Sequence, residues 1–304
     1  MTYDEIAAIF LTPTDQPFPP LVPPSASPAR RLRDAVEPIA TQGWWSRPAG
    51  DRITGLGLPF LPGYVWGRAA ALGEPAASVV VAAFGVFEPG MLTGAYDAGR
   101  SFVGRDDVLA ERAEGAAEAL DSLVTADEAD AVAEPLMQAV GGLDGLGRPL
   151  FGALRELPQP PTPGGRLWRA TELVREHRGD GHLAAVVTTG LDAVEANVLT
   201  ELWLGYGFGE YSGTRAFGPD ALAAAVERLG ARGWVESDGS TPTLTAGGRA
   251  ARVALEEATD LSQAALVDAL GPDIDEIVER AAAISERIVT AGWFPHDPRK
   301  RAGG

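Results

Sequence analysis

Two of the chain's three histidines fall in one short segment, LVREHRGDGHLAAVV at 173–187, together with Arg175, Glu176, Arg178 and Asp180. Imidazoles exchange protons near neutral pH, a neighbouring carboxylate can set their tautomer, and guanidinium groups hold carboxylates, phosphates or enolates. His177, Asp180, His182 and Arg178 therefore form the candidate catalytic group, with Arg175 and Glu176 as ligand contacts. Two readings of the segment stay open. As a plain joint, Gly179 ends one helix in a left-handed conformation, Asp180 caps the next, and the histidines are ordinary interfacial residues. As a site, facing helix ends converge side chains and backbone N–H groups on a small volume. A metal held by His177, Asp180 and His182, with His296 closing from the C-terminal tail, is a third option. The H-x-x-D-x-H spacing across two glycines is not that of a zinc helix such as H-E-x-x-H, so no metal site is assigned.

The elements that must position this segment are mostly helical. At 304 residues the chain can hold two ordinary domains, or one domain built from two related halves. Residues 1–28 are expected to be a proline-rich arm, extended and polyproline-like from Pro13 to Pro28. The segment LPQPPTPGG, Leu157–Gly165, separates a first half at 29–156 from a second at 166–262, and a C-terminal helix and tail occupy 263–304. Three pairs of segments echo each other in the same order across this break. RRLRDAVEPIA from Arg30 pairs with GRLWRATELVR from Gly165, ALGEPAASVVVAAF from Ala71 with GLDAVEANVLTEL from Gly190, and the stretch from Phe102 with that from Ala216. In the second half a helix starting at Pro219 and Asp220 places Leu222, Val226 and Leu229 on one face, and Gly233 stops it. GWVES, a glycine turn, PTLT and another helix follow. The expected fold is mainly α, a tandem winged-helix-like duplication with one or more short β-hairpin wings.

If the halves pack about a pseudo-twofold axis, Trp44 and Trp45 of GWW face the histidine cluster. Tyr64, Trp66, Phe87, Glu88 and Trp168 are further candidates for the wall of a pocket that suits a mostly apolar ligand with a few polar groups. GYGFGEYSG, Gly205–Gly213, reads either as a mobile lid or as an ordinary flexible loop. No dinucleotide loop, phosphate-binding G-x-x-x-x-G-K-[ST] or G-x-S-x-G elbow occurs, and no cofactor is expected.

Charge bears on partners. The net charge is −17 and Lys300 is the only lysine, so the averaged field repels phosphate backbones. The putting of Asp220, Glu227, Arg228 and Arg232 on the recognition helix, and Glu236 and Asp238 on the wing, is unsuited to phosphate contacts. Nucleic acid is therefore not the expected partner. Cysteine is absent, the N-terminus has no signal-peptide pattern, and the apolar run Ala69–Phe87 is interrupted by Glu74 and Pro75 and reads as core helix. A cytoplasmic protein without a membrane partner is expected, and the amphipathic stretch Pro272–Ala291 suggests a homodimer.

From about Ala29 to Pro298 the chain resembles an actinobacterial family of MarR-like winged helix-turn-helix proteins. The resemblance is carried by RRLRDAVEP (Arg30–Pro38), GYVWGRAAALG (Gly63–Gly73), FEPGML (Phe87–Leu92), VREHRGDGH (Val174–His182) and RLGARGWV (Arg228–Val235). It implies the tandem winged-helix-like architecture and no assigned activity; the proline-rich arm and the Gly205–Gly213 insertion depart from the pattern. Three functions follow from the residues. The first is a small-molecule binder linked to actinobacterial secondary metabolism. The second is a cofactor-independent acid–base enzyme performing elimination, cyclisation or proton transfer in the same pocket, and the third is a DNA-binding regulator.

Overall fold

In the computed structural model, residues 1–13, 18, 25–237 and 241–303 are described; most of the proline-rich stretch and the wing tip at Asp238 lie outside them. The N-terminal residues are not wholly an extended arm. Helix α1 (Tyr3–Phe10) is closed by a capping box of Thr2 and Glu5 and buries Tyr3 and Ile6. The Tyr3 hydroxyl donates to the Trp45 carbonyl at 2.7 Å. Its ring lies against α4 (Arg47–Gly55) at Gly50, where a Cβ would come within 2.3 Å of it. An aromatic anchor and a bare glycine surface together dock a segment whose prolines only begin at Pro13.

The largest core gathers helices from across the chain. Helix α2 (Pro28–Ala40) starts at Ser27, whose hydroxyl accepts the Arg30 N–H. It shares this core with α8 (Arg105–Asp121), α9 (Ala126–Gly141), α10 (Pro149–Arg155), the first part of α11 (Pro163–Thr188), α15 (Ala264–Leu270) and α16 (Ile274–Thr290). Val36, Ile39, Leu136, Leu167 and Ile288 are buried there. The apolar face of α16, with Ile277, Ala281, Ile284 and Ile288, lies in this core against α2, so the chain itself covers the face from which a homodimer was expected. A second core holds α5 (Phe60–Ala69), α6 (Ala77–Phe84) and α7 (Pro89–Phe102) around Trp66, Val80 and Tyr96, with the four-residue helix α3 (Gln42–Trp45) beside α4. The run Ala69–Phe87 is two helical pieces, because Gly73 turns at φ 86° just before Glu74 and Pro75.

The third core contains the hairpin. The C-terminal part of α11, α12 (Ala193–Leu204), α13 (Pro219–Ala231), β1 (Val235–Glu236), β2 (Thr243–Leu244) and α14 (Ala246–Leu261) enclose Val198, Leu199, Leu229 and Leu255. The antiparallel pair has Val235 opposite Leu244 and Glu236 opposite Thr243. Helix α13 begins with Pro219 at its first turn and is followed by Gly233 at φ 72°, as its sequence predicts. This is the only sheet among the described residues, so the expected wing occurs in the second half and no strand is described in the first. The short helix α17 (Pro298–Gly303) returns to α12 and α2. Among the described residues no single helix is long and apolar enough to cross a membrane.

The joint expected at Gly179–Asp180 does not exist. Helix α11 runs unbroken for 26 residues, with Gly179 and Asp180 inside it. A Cβ on Gly181 would lie 2.2 Å from Ser262 Oγ and 2.8 Å from Arg148 Nη1, so that glycine admits close neighbours and does not end the helix. Each helical glycine costs about 1 kcal/mol relative to alanine, which the burial of α11 in two cores readily outweighs.

Candidate functional site

Because α11 is continuous, its polar residues divide by helical position. His177 and Gly181, four apart, face the end of α14. The His177 Nδ1 lies 2.8 Å from Gln263 Oε1, its ring meets Phe151 edge-on at 4.8 Å, and Arg148 donates to its carbonyl. Burial holds this imidazole down at about 4, despite the raising effect of the Gln263 contact, so it is neutral at physiological pH. The other side of the helix presents Arg175, Glu176, Arg178, Gly179, Asp180, His182 and Leu183 to a cavity of about 150 Å³.

The remaining walls come from distant parts of the chain. Helix α2 contributes Arg30, Arg33 and Glu37; α5 contributes Tyr64 and Arg68; α6 and the turn after it contribute Ala83, Phe84, Val86 and Phe87. Asn197 and Thr200 of α12, Tyr211, Arg215, Arg252 and Glu256 of α14, and Ala302 and Gly303 of α17 complete it with Leu150 and Ala196. The three buried glutamates of the wall each lie between arginines. Glu256 accepts from Arg30 Nη1 at 2.8 Å, from Arg252 Nη1 at 2.7 Å and from Arg178 Nη2. Glu176 accepts from Arg68 Nη2 at 2.9 and 3.0 Å and from Arg175 Nη1 at 2.6 Å. Glu37 accepts from Arg175 Nε at 3.1 and 3.2 Å. Burial pushes the Glu256 carboxyl up, but Arg178, Arg252 and Arg30 overcome it and keep the group ionised, far below the usual range.

Not every buried polar atom is matched. Arg33 Nη2, Arg178 Nε, Arg215 Nε, Arg252 Nε and Asp180 Oδ1 have no hydrogen-bond partner among the described residues. Arg33 Nη2 is 3.7 Å from Glu37, an ion pair without a hydrogen bond. Asp180 accepts the Phe151 N–H at 3.0 Å through Oδ2, yet burial raises its carboxyl to about 7. His182 Nδ1 lies 2.9 Å from Thr259 Oγ1, whose own proton goes to the Leu255 carbonyl at 2.8 Å. That arrangement assigns the proton to Nδ1 and leaves Nε2 as an acceptor. Burial, then Arg252 and Arg178, hold the His182 imidazole down at about 3. The cavity thus combines cationic hydrogen-bond donors, a carboxyl poised to carry a proton and a neutral imidazole.

Of the aromatic residues expected in the wall, Tyr64 and Phe87 line the cavity and the tryptophans do not. Trp44 meets Tyr64 edge-on at 5.3 Å and lies beside Arg68, Arg112 and Arg175, behind the wall and away from the histidines. Trp45 packs between Phe10 and Phe60. Trp66 and Trp168 are core residues whose indole N–H groups donate to the carbonyls of Val103 and Ala40. Glu88 caps α7 by accepting the N–H groups of Gly90 and Met91. The segment Gly205–Gly213 is held, not a loose lid: buried Glu201 accepts the N–H groups of Gly209, Tyr211 and Ser212 at 2.7–2.8 Å. Sequence reasoning missed Arg30, Arg33, Arg68, Arg252 and Glu256 as site residues. The signal for Arg30, Arg33 and Arg68 was present, since RRLRDAVE and VWGRAAAL place charge among the apolar residues of helices.

The outward face of the third core differs. Arg228 of α13 donates to Asp192 at 2.6 Å and lies 3.3 Å from Glu195, while Arg232 donates to the Gly190 carbonyl at 2.6 Å. Asp220, Glu227 and Glu236 are exposed beside them. Among the described residues no group of three or more metal-ligating side chains is placed to hold an ion. A family model described as a helix-turn-helix family matches residues 29–295. No curated protein and no solved structure matches the chain.

Proposed function

The chain belongs to that helix-turn-helix family, and from this premise we propose that it is a small-molecule-binding protein whose ligand occupies the cavity between α2, α5, α11, α12 and α14. The observation that carries this reading is the lining itself, in which Phe84, Phe87 and Leu183 adjoin buried polar atoms that lack partners. A purely structural ion network would be expected to satisfy its members, because an unmatched buried donor costs roughly 1–3 kcal/mol. A cavity of about 150 Å³ accommodates a single benzene-sized ring. Within the same reading, the two halves are divergent copies of one MarR-like winged-helix unit, of which the second carries the hairpin. Supporting this, Gly73 and Gly190, each with φ near +80° (86° and 71°), lead into the paired helices α6 and α12. The ligand class fits a natural-product-like compound of actinobacterial secondary metabolism.

The test is a thermal-shift screen of ring-containing fragments against the native chain and Leu183→Trp, with circular dichroism to check that the variant is folded. Binding fragments should raise Tm in the native chain, by about 2.7 kcal/mol of stability at a hundred-fold excess over Kd, and lose that effect in the filled variant. Equal shifts in both would place the site elsewhere and refute the reading.

Family membership and the α13-hairpin arrangement favour a second reading, a DNA-binding regulator. Against it stand the exposed acids on α13 and β1 and the engagement of Arg228 with Asp192 and Glu195. Fluorescence anisotropy on duplex DNA across a salt series decides between them, since sequence-specific binding with a steep salt slope would favour the regulator.

A further inference from the structure

Resting on the small-molecule reading, we infer that the ligand is a small organic oxyanion, a single-ring carboxylate or phosphate ester, whose head is held by Arg33, Arg178 and Arg252 and whose ring lies toward Phe84 and Phe87. Seven arginines and four carboxylates line the cavity. Asp34 and Asp260 reach Arg30, Arg33 and Arg178 from behind the wall and add two more anions. One of the resulting six, Asp180, holds a proton up to about pH 7, which leaves seven guanidiniums facing five anions among the described residues. In a chain of net charge −17 this inward excess of positive charge runs against the average of the molecule.

The free donors are concentrated. Arg33, Arg178 and Arg252 are each less than a tenth exposed, and each has a guanidinium nitrogen without a hydrogen-bond partner among the described residues. Arg178 and Arg252 share the Glu256 carboxylate, and both, with Arg33, oppose the protonation of His182. Guanidinium forks match the paired oxygens of a carboxylate or phosphate, whereas a neutral ligand would leave the cationic excess buried and unbalanced. Asp180 in its protonated form adds a donor at the wall, and its Oδ1 has no hydrogen-bond partner among the described residues. Phe84, Phe87, Val86 and Leu183 offer no polar side-chain group, which suits the apolar body of such a molecule.

The experiment is isothermal titration of the native chain with benzoate, phenyl phosphate, the neutral isostere benzamide and inorganic phosphate, repeated with Arg33→Gln, Arg215→Gln and Leu183→Trp. Benzoate or phenyl phosphate should bind at least about ten-fold more tightly than benzamide, and Arg33→Gln should weaken the anion about ten- to a hundred-fold without changing benzamide. Preference for phenyl phosphate assigns a phosphate ester, and preference for benzoate a carboxylate. Arg215 has no carboxylate bonded to it, only Thr214 and Tyr211, so Arg215→Gln orphans no buried anion and keeps the test valid if Arg33→Gln misfolds. Arg215 also lines the cavity with its Nε unmatched among the described residues, so its loss should weaken the anions several-fold. Benzamide binding as tightly as benzoate, in native chain and variants alike, would overturn the oxyanion while leaving the cavity reading intact. Anion binding unchanged by Leu183→Trp would place the anions outside the cavity and overturn both, as would the absence of heat from every probe at millimolar concentration.

Discussion

The arginines of α13 and those of the cavity flank the same helix, α12, and are treated oppositely by the fold. On the outside, Arg228 and Arg232 lie against Asp192, Glu195 and the Gly190 carbonyl, with Asp220, Glu227 and Glu236 exposed nearby. On the inside, Arg30, Arg178 and Arg252 converge on one carboxylate, Glu256, and guanidinium N–H groups remain unmatched. A helix-turn-helix outline therefore sets where the helices go, while the placement of charge decides which surface has electrostatic work to do. Here the outer surface is balanced toward anionic and the inner one toward cationic.

The largest effect that would sharpen this contrast is expected from Glu256→Gln set against Asp192→Asn. Removing the carboxylate that three buried arginines share should cost about 3–5 kcal/mol in urea unfolding. Asp192→Asn keeps a capping side chain for α12 and loses an exposed ion pair, for which under about 1 kcal/mol is expected. Similar losses in the two variants would erase the distinction between inner and outer arginines.

A smaller effect, with a pH signature, is expected at Asp180. Its carboxyl pKa is raised by burial from 3.8 to about 7. Between these values the folded chain keeps a proton that the unfolded chain has lost, so this group's contribution to stability declines as pH rises from about 4 to about 7. Asp180→Asn, which cannot ionise, should match the native chain near pH 4 and exceed its stability at pH 8 by about 2–4 kcal/mol. A variant less stable than the native chain at pH 8 would show that the ionised carboxylate is well accommodated.

The histidines have the opposite sign. With folded pKa values of about 4 and about 3, His177 and His182 stay neutral while the unfolded chain binds protons below about 6.5, so stability is lost as pH falls from there toward those values. NMR titration should show the resonances of both rings flat between pH 5.5 and 8. A midpoint near 6.5 would mean a solvated imidazole and, for His182, an open, water-like cavity. The smallest effect is expected outside: Arg228→Gln should alter the weak affinity for random duplex DNA at physiological salt by less than about three-fold. Loss of tight, sequence-dependent binding in that variant would reverse the comparison and support the regulator.

Much of this arrangement was legible locally. Pro219 and Gly233 bound α13 as read, the hairpin follows with Val235 buried, and REHRGDGH does carry polar groups that line a cavity. The misreadings share one cause. Gly179–Asp180–Gly181 looks like a helix break because glycine and a capping residue are weak local stop signals, each worth about 1 kcal/mol. The need of Ser262 and Arg148 to approach Gly181 is invisible in a window of ten residues. The tryptophans of GWW were placed by an assumed symmetry, and they pack behind the wall because large aromatic surfaces are best buried whole.

By itself, then, the sequence determined the helical periodicities, the position of the hairpin in the second half, the absence of thiol chemistry and the concentration of titratable groups at 175–182. Tertiary structure decided that α11 stays unbroken, that His177 turns away from His182, and that Arg30 meets Glu256 across 226 residues of chain. The physical reason is range. Backbone propensities and caps act over one or two helical turns, whereas several guanidiniums can be gathered in a buried space only when carboxylates from remote helices arrive with them, and that meeting is settled by packing of the whole chain.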